Sequence, residues 1–374
     1  MIKPVWPKRL YLLDVSRGFA ALAVVLWHWQ HFSYEGTELP VNFERSGQPL
    51  YAYLKLFYEK GEMGVYYFFL LSGFIFFWLY RIPISKKSLT LKTFLLQRFS
   101  RLYPLHFVTL LMVAFLQFLY ISRKSSFFVY PFNDAYHFLL NVFFASDWGF
   151  ERGWSFNAPV WSVSIEILLY IIFFFVVYAN RSNPLSYLLV SAAAFITSFI
   201  LHHDIFRGLS MFFLGGFVFH FLLIMSADAM KYRAVIYYAA LSSWLLVFVN
   251  FYVFEITPYI SNLSSGSVLV LMFPYYVLFP LTVCAFALIE IDKGMSVKRI
   301  SWIGDITYSS YLLHFPLQIV FGLAASRGII KPFFYTDPVY LMIFFAFLVP
   351  LSYVTFQYFE RPMQNAIRNK LITP

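Results

Sequence analysis

The sequence predicts an all-α membrane protein, a bundle of about ten transmembrane helices with both termini cytoplasmic. Three observations carry this reading. Hydrophobic residues make up 60% of the 374 and charged residues only 12%, against roughly 25% charged in soluble globular chains, and mean hydropathy is +0.68. Apolar runs long enough to cross a bilayer recur at 12–33, 63–81, 103–121, 158–179, 186–203, 208–225, 234–254, 266–290, 302–324 and 338–358. With the N-terminus inside, Lys and Arg divide 18 to 9 in favour of the inner segments, as cytoplasmic segments require. The inner set includes Lys3, Arg9, Arg98, Arg101, Arg181, Lys231, Lys293 and Arg368; the outer set includes Arg45, Arg152 and Lys331. This asymmetry and contact with anionic membrane lipids explain the net charge of +10, so a nucleic-acid partner is not needed.

The chain reads as a single membrane domain, 1–374, with its longest loops at 34–62, 82–102 and 122–157. No repeat of 20–50 residues and no long Gly/Pro/Ser linker interrupts it. The single cysteine, Cys284, excludes an intrachain disulfide or a cysteine-based metal cluster; no metal is expected. The first helix lacks a small-residue cleavage site and is expected to be retained.

That first helix carries Asp14, Arg17, His28 and His31, polar groups that are costly in lipid and usually functional. Arg17 and His28 are eleven residues apart, three turns plus about 20°, and so share a face about 16 Å apart along the axis. A competing account makes Asp14–Arg17 an ion pair at the inner boundary, with Arg17 snorkelling and both histidines near the outer one. Gly18, Ala20, Ala21 and Ala23 are expected to leave room beside the helix for something to pass.

In the second helix, Ser72 and Gly73 permit close backbone approach, which serves either a substrate path or plain helix packing. The inner loop that follows holds Arg98 and Arg101, three apart before Pro104 at a helix start. Their forked, permanently charged side chains suit phosphates; a topology signal is the alternative. The fourth helix opens at Asn157-Ala158-Pro159, where proline suits the first turn. Trp161 and Ser162 follow, and Ser162, Glu166 and Tyr170 share one face at i, i+4 and i+8. Glu166 lies about 10 Å below the helix start and must be protonated, paired or turned to a polar cavity; pairing with Arg17 is one possibility. The ninth helix presents Tyr308, Tyr311 and His314, as a polar helix contact or as part of a site.

These segments together resemble the acyltransferase 3 family of membrane O-acyltransferases. The resemblance rests on Leu13-Asp14 through Arg17 to His28, Phe68 to Phe74, Arg98 to Pro104, Trp161-Ser162 to Glu166, Tyr308 to His314, and Phe359-Glu360-Arg361-Pro362. It extends from the first helix to the last, and six motifs in the family's order are specific where each alone is weak. Ser309-Ser310 is a conservative departure.

The resemblance implies transfer of an acyl group, usually acetyl, from cytoplasmic acyl-coenzyme A to a hydroxyl of a cell-surface glycan, or of another small or lipid-linked acceptor. O-antigen of lipopolysaccharide and exopolysaccharide are the leading acceptors, and a bacterial inner membrane is the expected location. Acetyl-CoA is the co-substrate. The resemblance places the catalytic histidine at His28, its paired arginine at Arg17, the loop arginines at Arg98 and Arg101, and the acidic residue at Glu166; Arg17, Arg98 and Arg101 are expected to bind the donor. Asp14, Ser72, Trp161, Ser162, Tyr308 and His314 are supporting or substrate-path residues. Members often carry a fused extracytoplasmic SGNH-type domain; the sequence ends at Pro374 without one, so the membrane domain is expected to perform or pass on the whole reaction.

The chemistry of the residues agrees. A hydroxyl attacks a thioester poorly unless a base takes its proton, and imidazole has a suitable intrinsic pKa near 6.5. Glu166 is expected to orient that imidazole, as an acidic partner supports a triad histidine. Direct transfer is the simpler route, with an acyl-enzyme intermediate as the alternative. Trp148 and Trp154 are candidate sugar platforms, although interfacial anchoring is the commoner use of such side chains. A transporter or flippase of lipid-linked glycan is the rival reading, but no paired halves with broken midplane helices are visible. A scaffold would not need Arg17, His28 and Glu166 together.

Overall fold

The computed structural model describes residues 6–179, 183–225, 229–262, 266–293 and 297–371. Lys3, Arg181 and Pro374 lie outside the described residues, as do the side chains of Lys231 and Lys293. The described chain is helical throughout: α1 (Tyr11–Trp27), α2 (Tyr51–Lys60), α3 (Met63–Ser85), α4 (Leu91–Lys124), α5 (Ala135–Val142), α6 (Trp161–Tyr178), α7 (Pro184–Leu201) and α8 (Asp204–Met225). Then come α9 (Ala229–Tyr252), α10 (Thr257–Ser261), α11 (Gly266–Phe273), α12 (Phe279–Lys293), α13 (Trp302–Asp305), α14 (Thr307–Ser326), α15 (Pro338–Thr355) and α16 (Arg361–Leu371).

Among the described residues, nine helical stretches are long and apolar enough to cross a membrane, and each coincides with one of the apolar runs. The tenth run, 302–324, is realised as α13 and α14. α14 has 20 residues, enough for a bilayer core of about 30 Å at 1.5 Å per residue. Its tyrosines, serines, His314 and Gln318 lower its hydropathy, and protein rather than lipid surrounds them.

The expected inner loop proves shorter than the sequence suggests. α3 runs on to Ser85 and α4 begins at Leu91, so only 86–90 remain of the loop expected over 82–102. Arg98 and Arg101 therefore stand on a helix. The Thr90 hydroxyl caps its start by accepting from the Thr93 amide at 3.2 Å, and nothing in 91–103 breaks a helix. α4 has 34 residues, about 51 Å, so it outruns the apolar core. The outer segments 34–62 and 122–157 contain α2 and α5 respectively.

The chain divides into two compact units. The first comprises Met1–Ala20, Glu62–Ser85 and Val176–Gly304; the second comprises Ala21–Gly61, Lys86–Phe175 and Asp305–Pro374. In the first unit α3 and α8 meet backbone to backbone. A Cβ on Gly73 would sit 1.8 Å from the Phe212 carbonyl oxygen, and one on Gly215 would sit 2.0 Å from that of Leu70. Small residues permit this approach, and in lipid such packing drives helix association. Close packing thus accounts for Gly73.

The room expected beside the first helix is filled. A Cβ on Gly18 would lie 2.4 Å from the Ile303 carbonyl oxygen, within the first unit, and Ala21 is buried. In the second unit Gly61 is pressed against Ala23, where a Cβ would lie 2.2 Å from its carbonyl oxygen. Small side chains here admit neighbouring backbone instead of a passage.

The second unit has an aromatic core of Trp29, Phe32, Tyr58, Phe128, Phe315 and Phe344. Trp29 satisfies its indole N–H on the Tyr335 carbonyl at 2.8 Å. Gln117 accepts from the Phe128 amide and donates to the Phe128 carbonyl, both at 2.9 Å, so the segment after α4 is sewn onto the helix without leaving buried backbone groups unmet.

Candidate functional site

α1 ends at Trp27, and the chain tightens into a 3₁₀ turn over His28–Ser33. In such a turn residues i and i+3 eclipse. That winding lays His31 beside His28, with ring centroids 4.7 Å apart. Both histidines are buried in the second unit, at 6% and 3% exposure.

α14 closes on this pair. His314 Nε2 lies 3.1 Å from His28 Nδ1, and the two rings are inclined by only 15° with their centroids 4.9 Å apart. His314 Nδ1 lies 2.7 Å from the Tyr311 carbonyl. A carbonyl only accepts, so Nδ1 carries the proton there and, in the neutral ring, Nε2 is an acceptor. His28 Nδ1 must then be the donor. The remaining nitrogen of His28, Nε2, bears the lone pair.

One turn further along α14, Gln318 donates from Nε2 to the His28 carbonyl at 2.9 Å, and its Oε1 accepts from His31 Nδ1 at 2.9 Å. His31 Nε2 in turn receives the Tyr130 hydroxyl at 3.2 Å. Burial, with the neighbouring Tyr34 and Tyr311 phenols, pushes the Tyr130 phenol well above its ordinary value, so it serves as a neutral O–H donor.

Below this cluster, Tyr311 donates to the Pro159 carbonyl at 2.6 Å and meets the Ser162 hydroxyl at 2.9 Å. Asn157, fully buried at the start of α6, donates to the Leu312 carbonyl at 2.9 Å. Tyr308 donates to the Leu102 carbonyl at 2.6 Å, beside Arg101. Tyr308, Tyr311 and His314 recur every three residues, and the first and last are about 9 Å apart along the axis.

Glu166 belongs to the lower part of this arrangement. It hydrogen-bonds with Tyr170, which also feels the charges of Arg98 and Arg101, and it acts electrostatically on Tyr308 and Tyr311. His28 Nδ1 donates its hydrogen bond to His314 and not to the expected Glu166. Glu166 follows the polar face of α6, whereas the 3₁₀ turn of His28 is packed against α14. Nearby, Ser309 donates to the buried Glu360 at 2.6 Å.

In the first unit, Arg17 lies 3.5 Å from Asp14 and donates to the Gly304 carbonyl at 3.1 Å. Arg9 also pairs with Asp14. The competing account of an Asp14–Arg17 ion pair is therefore realised. Ser72 is half-buried on α3. Trp161 is half-buried at the start of α6, its ring 6.2 Å from that of Trp154.

Reading the sequence assigned no role to Gln318, Tyr130 or Asn157. Gln318 is the most legible omission, because it follows His314 by four residues and so lies on its face. Tyr130 and Asn157 sit in irregular segments, where no periodicity marks which side chains turn inward.

No match is found among curated proteins or among solved structures. The family described as an acyltransferase domain matches residues 10–357, a span that takes in α1, with His28 just beyond that helix, Arg98 and Arg101 of α4, the polar face of α6 and all of α14. The order of the motifs and this nearly full-length match agree: the chain belongs to the acyltransferase 3 family of integral membrane acyltransferases.

Proposed function

We propose that the protein is a membrane O-acyltransferase of the bacterial inner membrane, moving an acyl group, foremost acetyl, from cytoplasmic acyl-coenzyme A to a hydroxyl of a cell-surface glycan such as O-antigen or exopolysaccharide. The observation that carries the chemical step is the hydrogen-bond chain from the Tyr311 carbonyl through His314 to His28 Nδ1, which reserves His28 Nε2 as the base. His28 Nε2 takes the acceptor hydroxyl proton as the oxygen bonds to the acyl carbon. The carbon–sulfur bond breaks, and the same nitrogen returns the proton to the departing sulfur. During the step His28 is an imidazolium whose Nδ1–H remains bonded to His314, so the charge forms where an acceptor is already aligned.

Arg98 and Arg101 are the proposed anchors for the phosphates of the donor. The guanidinium fork suits phosphate oxygens, and two of them stand three residues apart on a helix longer than the apolar core. The 18-to-9 division of basic residues supports placing them, with both termini, in the cytoplasm.

His28→Ala is expected to lower transfer of radiolabelled acetyl from acetyl-CoA in membrane vesicles by about 10²–10⁴-fold, the usual worth of a general base, while donor binding persists. Envelope glycan from cells with the intact protein should be heavier by about 42 Da per acetyl added. Turnover at the intact rate by a correctly inserted His28→Ala protein removes His28 from the mechanism.

A further inference from the structure

The reading of His28 as the base leaves unexplained a second set of buried contacts on its far side. Gln318 spends both ends of its amide there: Nε2 on the His28 carbonyl and Oε1 on His31 Nδ1. Its exposure is 0%. A buried glutamine in a membrane helix is retained at a cost unless all its hydrogen bonds are met, and here they are met by the one turn that carries the candidate base. Tyr130 completes the row by capping His31 Nε2. The donor directions leave no alternative orientation. Tyr130 donates to His31, His31 donates to the Gln318 oxygen, and the Gln318 nitrogen donates to the His28 carbonyl.

We infer that Gln318 is a positioning residue for the transfer reaction: with His31 and Tyr130 it forms a strut that fixes the height at which the His28 ring meets His314 and, through that meeting, the tautomer of His28. This rests on the reading of His28 as base. The α-helical winding of α1 breaks after Trp27. A continuous α-helix would bond the His28 carbonyl to an amide four residues on, but the 3₁₀ winding of His28–Ser33 discards that bond, and 3₁₀ geometry is the poorer one. The Gln318 amide supplies a donor at that carbonyl. His314 and Gln318, one turn apart on α14, therefore hold His28 from two sides, the first by its ring and the second by its backbone. Both holds are hydrogen bonds within the protein, so losing the strut is expected to move the base and leave donor binding in place.

The test uses the full chain in membrane vesicles, with radiolabelled acetyl-CoA as donor and the native envelope glycan as acceptor. Gln318→Leu is expected to lower kcat about 10- to 100-fold, as a misplacement near 1 Å does, and to leave the KM for acetyl-CoA within about twofold. Tyr130→Phe, which keeps the glutamine and shortens the strut, should lower kcat less, with the same unchanged KM; it decides the matter if Gln318→Leu does not fold. Nitrogen NMR of ¹⁵N-histidine-labelled protein gives a reading that needs no turnover. The His28 signals, assigned by their loss in His28→Gln, should show a protonated Nδ1 and a bare Nε2 in the intact protein and a mixture of tautomers in Gln318→Leu. A folded Gln318→Leu protein with intact kcat, or with an unchanged His28 tautomer, overturns the strut. Should His28→Ala remain active, the base reading falls instead, and the tautomer spectra alone judge the strut.

Discussion

Arg98 and Arg101 are the residues on which the donor half of the proposal turns. Arg98 is 8% exposed, and the charges of both arginines act on Tyr170 beside Glu166, so both stand within the protein's own polar network. Replacing either with alanine is expected to raise the KM for acetyl-CoA about 10- to 100-fold, in line with one lost charge-assisted hydrogen bond, and to change the acceptor KM little. The difference from the intact protein should narrow as salt rises, because screening removes the same attraction. Lysine should recover part of the loss, since it restores charge without the fork. Initial rates against acetyl-CoA concentration at fixed acceptor check this; an unchanged donor KM in both alanine variants returns these arginines to the role of topology signal. At this scale the sequence revealed which residues are unusual and not whom they meet. His28, His314 and Glu166 are all conspicuous in apolar helices, yet only the packing of α14 against the 3₁₀ turn decides that His28 pairs with His314. Glu166 was the chemically natural partner, but chemical aptness carries no distance.

Helices were legible where lipid writes its requirement into composition. All nine apolar spans, and α14 as well, coincide with runs visible in the sequence, because a bilayer demands about 20 apolar residues wherever a helix crosses it. The amino-terminal turns of α4 were not legible. Lys92, Arg98 and Arg101 break a hydropathy window there without breaking the helix, since lysine and arginine are good helix formers. Glycine had the right meaning in α3 and the wrong one in α1. Gly73 does bring two backbones together, whereas the small residues of α1 receive neighbours that a single sequence does not reveal. Gly73→Ala is accordingly expected to destabilise the first unit by about 1–3 kcal/mol, the usual cost of overpacking, because its Cβ meets backbone at 1.8 Å. Gly47→Ala, whose Cβ meets nothing within 4 Å, is the control. Thermal unfolding in detergent compares them, and equal melting temperatures would refute the contact.

For the molecule as a whole, orientation is the property that the proposed chemistry most needs, since donor and acceptor are expected on opposite sides. Ser46 lies in the exposed segment before α2 and Ser88 in the exposed turn between α3 and α4. In a Cys284→Ala background, single cysteines at these two positions should react with an impermeant thiol reagent from opposite faces, Ser88→Cys from the cytoplasm. Labelling from the same face would overturn either the number of crossings between them or the sidedness. That number was readable from composition, because only α3 intervenes as a span between the two positions. The division of the chain into two compact units was not readable. α1 gives its residues through Ala20 to one unit and the remainder to the other, and no change of composition within that helix marks the boundary.

The π turn at Phe356–Glu360, between α15 and α16, holds one residue more than an α-helical turn would. It works as a phase shifter for everything that follows. Glu360 reaches Ser309, and eight residues later Arg368 reaches the Ser100 hydroxyl at 3.3 Å, between Arg98 and Arg101 of α4. Excising one residue ahead of Glu360 would rotate Glu360 and α16 together by about 100° and carry both attachments away from Ser309 and Ser100. The length of the chain at this point is thus itself a specification. A substitution in the turn is a local event, but an insertion or deletion there re-addresses an entire helix.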